Sequence, residues 1–206
     1  MKKIMYMLSI LAVLLFAACG DIDEKNDREV NSEQDSKEEK EKEVKQEVEK
    51  EKAMGTRSNP LPFGDTITVK ENIYDDSFNA YASSLEITLL DTIRGEEAWT
   101  ILKEENEFNE PAEEGYEYVL VKVKGFLKES ETDDDSLYFS DMNFDFVSND
   151  GEVYEWVSVV TPNELSKELY NGGTGEGFIV NQVRTDDDFK VSYDSSEGSP
   201  VFLYVE

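Results

Sequence analysis

Alternation between apolar and polar side chains is the feature that most restricts how this chain can fold. The sequence YVLVKVKGF, residues 118–126, places three valines on one side of an extended strand and two lysines on the other. A period of two with charge on one side is typical of antiparallel strands buried on one face. Further strand-like segments are TITVK (66–70), LEITLL (85–90), MNFDFVSNDGEVYEWV (142–157), GFIVNQV (177–183), FKVSY (189–193) and VFLYVE (201–206). Together they predict an all-β domain.

Three local signals interrupt these strands. Asp150-Gly151 lies between two alternating aromatic arms, which predicts a β-hairpin. RGEEAWTILKEENEF, residues 94–108, has apolar residues at helical spacing and predicts a helix from Glu96 to about Asn106. TPNELSKELYNGG, residues 161–173, opens with a Thr-Pro-Asn-Glu capping box and closes with glycines, so it predicts a second helix with two leucines facing inward. With about seven strands, the pattern predicts an antiparallel β-sandwich with two short helical insertions.

The first eighteen residues have the layout of a signal peptide. A basic start precedes an apolar run, Ile4–Phe16, that is too short to span a bilayer as a helix, and two alanines follow it. Ala17, Ala18 and Cys19 resemble the lipobox of bacterial lipoproteins, although Phe16 stands where Leu is usual. The resemblance implies cleavage before Cys19 and a diacylglycerol on its thiol, which anchors the chain at the extracellular face of the membrane. The alternative is a cleaved secretory signal with an incidental thiol.

Composition divides the mature chain into a tether and one domain. Residues 21–52 have no aromatic side chain and few apolar ones, so this stretch cannot bury enough surface to fold and predicts a disordered or partly helical spacer. We therefore predict a signal peptide at 1–18, a lipidated N-terminus with a charged flexible tether at 19–56, and a folded domain at 57–206.

Missing residue types and charge exclude several classes of function. The chain has no histidine and one cysteine, so Ser-His-Asp and Cys-His sites, imidazole metal ligands and intramolecular disulfides are excluded. A formal net charge of −28 argues against a nucleic-acid partner, since such proteins carry basic patches. We expect a monomer without a cofactor, and any electrostatic partner should be cationic: a metal ion, a polyamine or a basic protein surface.

Several segments together resemble a known family. IRGEEAW (93–99), FNEP (108–111), EEGYEY (113–118), the NDGEVY hairpin (149–154) and the glycine-rich segment before GFIV are similar to the immunoglobulin-like extracellular lipoprotein domain of unknown function that is common in Gram-positive bacteria. That domain is related in fold to a secreted mycobacterial immunogenic antigen. The resemblance spans about residues 59–206, with NQVRTDDD departing from the usual apolar-then-Pro ending. It implies an immunoglobulin-like sandwich outside the membrane and no assigned activity.

Acidic loops and aromatic side chains are the candidate functional residues. Weak calcium candidates are Asp133, Asp134, Asp135, Asp186, Asp187 and Asp188. Neither run has the spacing of an EF-hand loop, and solvated loop charge is the simpler interpretation, so no metal site is predicted. Candidate anchors for a partner are Trp99, Tyr116, Tyr118, Tyr154 and Trp156.

These observations favour a non-catalytic binding module. A sandwich on a tether can present its loops or a sheet edge to a wall component, a peptide or another envelope protein. One alternative is a hydrolase that uses two carboxylates on a wall glycan, which the abundance of acidic residues permits without supporting. Another is a passive surface or stress protein without a specific ligand.

Overall fold

The structure contains the strands that the alternation predicts except the second arm of the Asp150-Gly151 hairpin, where only an isolated bridge at Val153 forms. A computed structural model describes residues 54–206; Cys19, the predicted signal peptide and most of the predicted tether lie outside the described residues. The elements are β1 (Thr66–Tyr74), β2 (Ala80–Arg94), α1 (Glu96–Glu105), β3 (Tyr116–Ser130), β4 (Leu137–Ser140), a one-turn 3-10 helix (Asp141–Asn143), β5 (Phe144–Val147), β6 (Ser166–Leu169), β7 (Thr174–Arg184), β8 (Lys190–Tyr193) and β9 (Val201–Tyr204).

The strands form two layers around a common core. One layer is a four-stranded antiparallel sheet in the order β1-β2-β3-β7, and the other contains the β5-β8-β9 sheet and the β4-β6 ribbon. Both layers contribute large apolar side chains to one buried cluster, which includes Leu85, Ile87, Leu89, Val121, Val123, Ile179, Phe139, Phe146, Val191, Tyr193 and Leu203. The architecture is an all-β sandwich, as predicted. No helix within residues 54–206 is long and apolar enough to cross a membrane.

The first predicted helix is confirmed and the second is wrong. The helix α1 ends at Glu105, with Asn106 as its C-cap. Residues 166–169 instead form β6, which pairs with β4, and the preceding residues bridge in parallel to β7, where the Leu165 N–H donates to the Phe178 carbonyl at 2.9 Å. Leu165 and Leu169 are buried as expected. A spacing of four places two residues on one face of a helix and also on one face of a strand, so burial alone did not distinguish the two structures.

Close backbone approach decides the structure of this segment. A Cβ atom added at Gly177 would lie 2.6 Å from the Leu165 Cα atom, closer than real side chains pack. The glycine lets residues 163–165 lie against β7, where their backbone groups find partners that a helix would have supplied internally. The glycine-rich segment therefore has a packing role.

A β-bulge in β2 changes which residues face the core. Leu89 pairs with Val123 and Asp91 with Lys122, so Leu90 is an extra residue on β2. Opposite residues in an antiparallel pair share a face, and the extra residue shifts the alternation beyond it by one position. Ile93, which pairs with Leu120, therefore faces outward.

Glu71 is a buried carboxylate that joins the two layers. Its side chain accepts hydrogen bonds from the Tyr193 hydroxyl at 2.7 Å and from the Ser196 N–H and Oγ at 2.9 and 2.6 Å. These donors satisfy a charge that is 3% exposed. They fix the β8–β9 loop against the edge strand β1.

Candidate functional site

A second apolar cluster lies outside the sandwich, on the outer face of the four-stranded sheet. The helix α1 and residues 157–159 cover one end of this face, where β2 ends and β3 begins. Ala98, Leu102, Tyr118 and Leu120 are buried there. Burial of this apolar surface holds α1 and the segment after the Asp150-Gly151 turn onto the sheet.

Asn109 joins α1 to the segment after the turn. Its Nδ2 donates to the carbonyls of Leu102 at 2.7 Å and Val160 at 2.9 Å, and its Oδ1 accepts from the Val160 N–H at 2.9 Å. The amide thus pairs with Val160 as a neighbouring strand would, and it also satisfies a carbonyl in the last turn of the helix. The FNEP segment therefore has a structural role, although Phe108 is 82% exposed.

Aromatic side chains line two adjacent depressions at this end of the sandwich. The first, of about 480 Å³, includes Trp99, Tyr118 and Tyr116 in its lining. The second, of about 280 Å³, includes Tyr116 again with Tyr154 and Trp156. Because Tyr116 borders both, the two depressions together are called here the aromatic groove.

Packing fixes several of these rings. Trp99 stacks on Tyr118 with ring centroids 5.9 Å apart and an interplanar angle of 14°, and Tyr116 meets Tyr154 edge to face at 6.4 Å. The Tyr118 hydroxyl donates to the Glu110 carbonyl at 3.0 Å. A ring held on both its face and its hydroxyl loses little further freedom when a ligand binds.

Carboxylates surround the aromatic groove. The residues lining the two depressions include Glu96, Glu113, Glu117, Glu152 and Glu155, and they include no lysine or arginine. Glu117 is paired with Arg94, and Glu152 with Arg184 at 3.1 Å. Within residues 54–206, the other three glutamates have no ion pair, so the groove carries uncompensated negative charge.

A polar network supports the wall that carries Tyr154. Arg184, at the end of β7, pairs with Asp150 at 2.7 Å and lies over the Tyr154 ring at 5.7 Å. The Tyr154 hydroxyl donates to the Asp187 carboxylate. Burial, followed by this hydrogen bond, raises the pKa of Tyr154 to about 12. The Asp150-Gly151 hairpin is thereby joined to β7, although its second arm pairs with β5 only at Val153.

The structure brings all the predicted aromatic anchors into this groove but exposes them unequally. Trp156 is 71% exposed and Tyr116 38%, whereas Tyr118 and Tyr154 are buried and Trp99 is half-buried. Tyr116 and Trp156 are therefore the side chains that a ligand can reach. Sequence reasoning missed the groove glutamates, even though Glu96, Glu113 and Glu117 lie inside the IRGEEAW and EEGYEY segments.

The predicted acidic loops lie apart from one another and have protein partners. Asp133 accepts from the Asn171 amide at 2.7 Å, and Asp135 accepts from Thr132 at 2.9 Å. Asp187 belongs to the Tyr154 network, and the runs 133–135 and 186–188 lie in different loops. Across residues 54–206, no three His, Cys, Asp or Glu side chains are grouped so that they could hold a metal ion.

Comparisons with known proteins show neither a family nor a function for this chain. No protein-family model and no curated protein matches it. Among solved structures, it is similar to ycdA from Bacillus subtilis subsp. subtilis strain 168, described as a candidate lipoprotein. The likeness has 10% sequence identity and a TM-score of 0.44, and it covers 68% of this chain. The chain spans 38% of that protein's length.

Proposed function

We propose that this protein is a lipid-anchored extracellular binding module that presents the aromatic groove to a partner in or beyond the cell envelope. The observation that carries the proposal is the position of Tyr116 on the border of both depressions, the second of which is also lined by the exposed Trp156. Aromatic side chains in a concave surface are typical anchors for a partner. The module is non-catalytic in this proposal, and it acts as a monomer without a cofactor.

The N-terminal sequence supports the lipid anchor. Residues 1–18 have the layout of a signal peptide, and Cys19 follows the alanines at the position of a lipoprotein cysteine. Two acyl chains on this cysteine suffice for stable membrane attachment. The charged stretch that follows is long enough to hold the domain clear of the lipid surface.

The support beneath the groove favours recognition over a passive role. The ring of Trp99 is stacked on Tyr118, Asn109 joins α1 to the segment after the turn, and Arg184 joins the hairpin to β7. These contacts organise the surface before a ligand arrives, which reduces the entropy cost of binding.

A comparison of variants tests the groove. The full-length protein, purified in detergent, is incubated with solubilised envelope, and retained components are compared between wild type, Trp156→Ala and Phe78→Ala. Phe78 is a matched control because it is 86% exposed at the β1–β2 turn, at the opposite end of β2 from the groove. We expect Trp156→Ala to lose a component that Phe78→Ala retains. Equal retention by all three proteins would argue against the groove as the binding site.

A separate experiment tests the anchor. Cys19→Ala should release the protein from the membrane or leave its precursor unprocessed, as seen by fractionation and by the mass of the N-terminus. A variant that remains membrane-bound and normally processed would contradict the lipoprotein proposal.

A further inference from the structure

We infer that the occupant of the aromatic groove is a basic peptide segment whose arginine side chains lie against Trp156 and Tyr116 and pair with the unpaired glutamates. This inference rests on the proposed function and names its ligand class. Its first support is charge complementarity, because no basic side chain lines the groove and three of its five glutamates have no ion pair within residues 54–206. An acidic concave surface raises the local concentration of a cationic partner and repels anionic lipids and wall polyanions.

The second support is the way the fold itself uses arginine at this end of the sandwich. Arg94 pairs with Glu117 and lies over the Phe189 ring at 5.7 Å. Arg184 pairs with Glu152 and lies over the Tyr154 ring at the same distance. In both cases one planar guanidinium forms an ion pair with a carboxylate and a cation–π contact with an aromatic ring.

The depression that contains Trp156 also combines carboxylates with aromatic rings, but no arginine lines it. Trp156 is next to Glu155 in sequence, and Glu113 lines the same depression together with Tyr116. Glu96 lies in the adjoining depression, which Tyr116 also borders. Glu96, Glu113 and Glu155 have no ion pair within the part of the chain that the structure describes. An arginine from a partner would supply the missing member of each combination.

The residues that line the groove favour a basic peptide over a divalent cation or a neutral glycan. A divalent cation needs several oxygens at one point, and no such group of carboxylates is found in residues 54–206. A neutral glycan stacks on aromatic rings and donates hydroxyl hydrogen bonds to carboxylates, but it brings no positive charge to the three unpaired glutamates, whereas an arginine side chain offers both hydrogen bonds and charge. Pro111, Ala112, Val153 and Val157 also line the groove and offer contacts to apolar side chains between the basic ones.

The test uses a defined peptide and its uncharged counterpart. Acetyl-(Arg-Leu)₄-amide is titrated into the full-length protein in neutral detergent, and binding is followed by calorimetry and by tryptophan fluorescence. The same peptide with citrulline in place of arginine keeps the shape but removes the charge. We expect the arginine peptide to bind at least about tenfold more tightly, with an affinity that falls as salt is raised. Equal affinity of the two peptides would overturn the inference.

Variants locate the binding site. Glu155→Gln and Trp156→Ala should each weaken the arginine peptide by about threefold to tenfold, the range expected for a partly exposed ion pair or cation–π contact. The matched control is Glu104→Gln, which removes the same charge from an exposed position of α1 outside the groove lining. If Glu104→Gln weakens binding as much as Glu155→Gln does, attraction to the acidic protein as a whole explains the binding and the inference fails.

The outcomes separate this inference from the function on which it rests. If the arginine peptide does not bind, while Trp156→Ala still loses an envelope component that Phe78→Ala retains, the proposed function stands and the basic-peptide inference is overturned. If the peptide binds equally well to Trp156→Ala and Glu155→Gln as to wild type, the groove is not its site, and the inference is overturned on that ground.

Discussion

Asn109→Ala should loosen the wall of the aromatic groove. The substitution removes three hydrogen bonds that join the last turn of α1 to Val160. A net contribution of about 1 kcal/mol for each bond predicts a loss of about 2–3 kcal/mol in the free energy of unfolding. The lower end applies because Val160 is half exposed, so water replaces some of the lost partners, and the Leu102 carbonyl also accepts from the Asn106 N–H.

Urea unfolding and hydrogen exchange measure this loss. With a dependence on urea of about 2–3 kcal/mol per molar, the midpoint should fall by about 1 M. The Val160 N–H should exchange faster in native conditions, since Asn109 Oδ1 is its acceptor. If the substitution opens the structure only locally, the urea midpoint of Asn109→Ala will fall by less than about 1 M. The Val160 N–H will still exchange faster than in wild type.

Asn106→Ala is the matched control for this prediction. Asn106 lies in the same loop, and its side chain accepts one hydrogen bond, from the Phe108 N–H at 3.1 Å. Its replacement should cost less than about 1 kcal/mol and leave the Val160 amide protected. If Asn109→Ala changes neither the midpoint nor the Val160 exchange rate, the reasoning that Asn109 joins the two segments is refuted.

Three further substitutions test other parts of the structure. Because the pKa of Tyr154 rises from 10.0 to about 12 on folding, the folded state keeps a proton that the unfolded chain loses. Tyr154 should therefore contribute up to about 3 kcal/mol to the fall in wild-type stability between pH 10 and 12, and the fall should be smaller in Tyr154→Phe; equal slopes in urea titrations across this range would contradict the assignment. Thr92→Val should raise the free energy of unfolding by about 1 kcal/mol, because the Thr92 hydroxyl is the buried side-chain group without a partner in residues 54–206; a lower thermal midpoint would count against this account. Gly177→Ala should cost about 1–3 kcal/mol, since its Cβ would meet the backbone of Leu165, and a stability equal to wild type would show that this backbone can move aside.

Much of the fold follows from local pattern, and the exceptions have long-range causes. Alternation in residues 118–126 is sufficient to identify β3, although it does not predict that α1 also buries Tyr118 and Leu120 on the outer face of this strand. The segment with Leu165 and Leu169 has capping signals of a helix, yet its structure depends on a space that Gly177 leaves in β7. Local helix propensity does not include contacts between residues far apart in sequence, so here the pairing with β7 overrides the helix signal.

Only part of the candidate site is predictable from the sequence, because the exposure of its residues depends on contacts between distant segments. The aromatic residues were identifiable as anchors by type, but their exposure depends on contacts that the sequence does not display. Tyr118 and Trp99 became packing partners because α1 folds back over the sheet, while Trp156 extends from a segment that is joined by Asn109. The groove glutamates were hidden in an overall acidic composition, where no single carboxylate stands out.

The bulge at Leu90 gives β2 one residue more than its pairing with β3 requires. Deletion of Leu90 would join Leu89 directly to Asp91, and the two would still lie opposite Val123 and Lys122 in regular alternation. Ile93 would remain on the face that α1 covers, so the two sides of the sheet would keep their residues and only the local bend would relax. A deletion within a stretch of regular pairing, such as β7 opposite β3, exchanges the faces of every residue beyond it. Related domains should therefore vary in length by one residue at this point of the sheet more readily than along its regular strands.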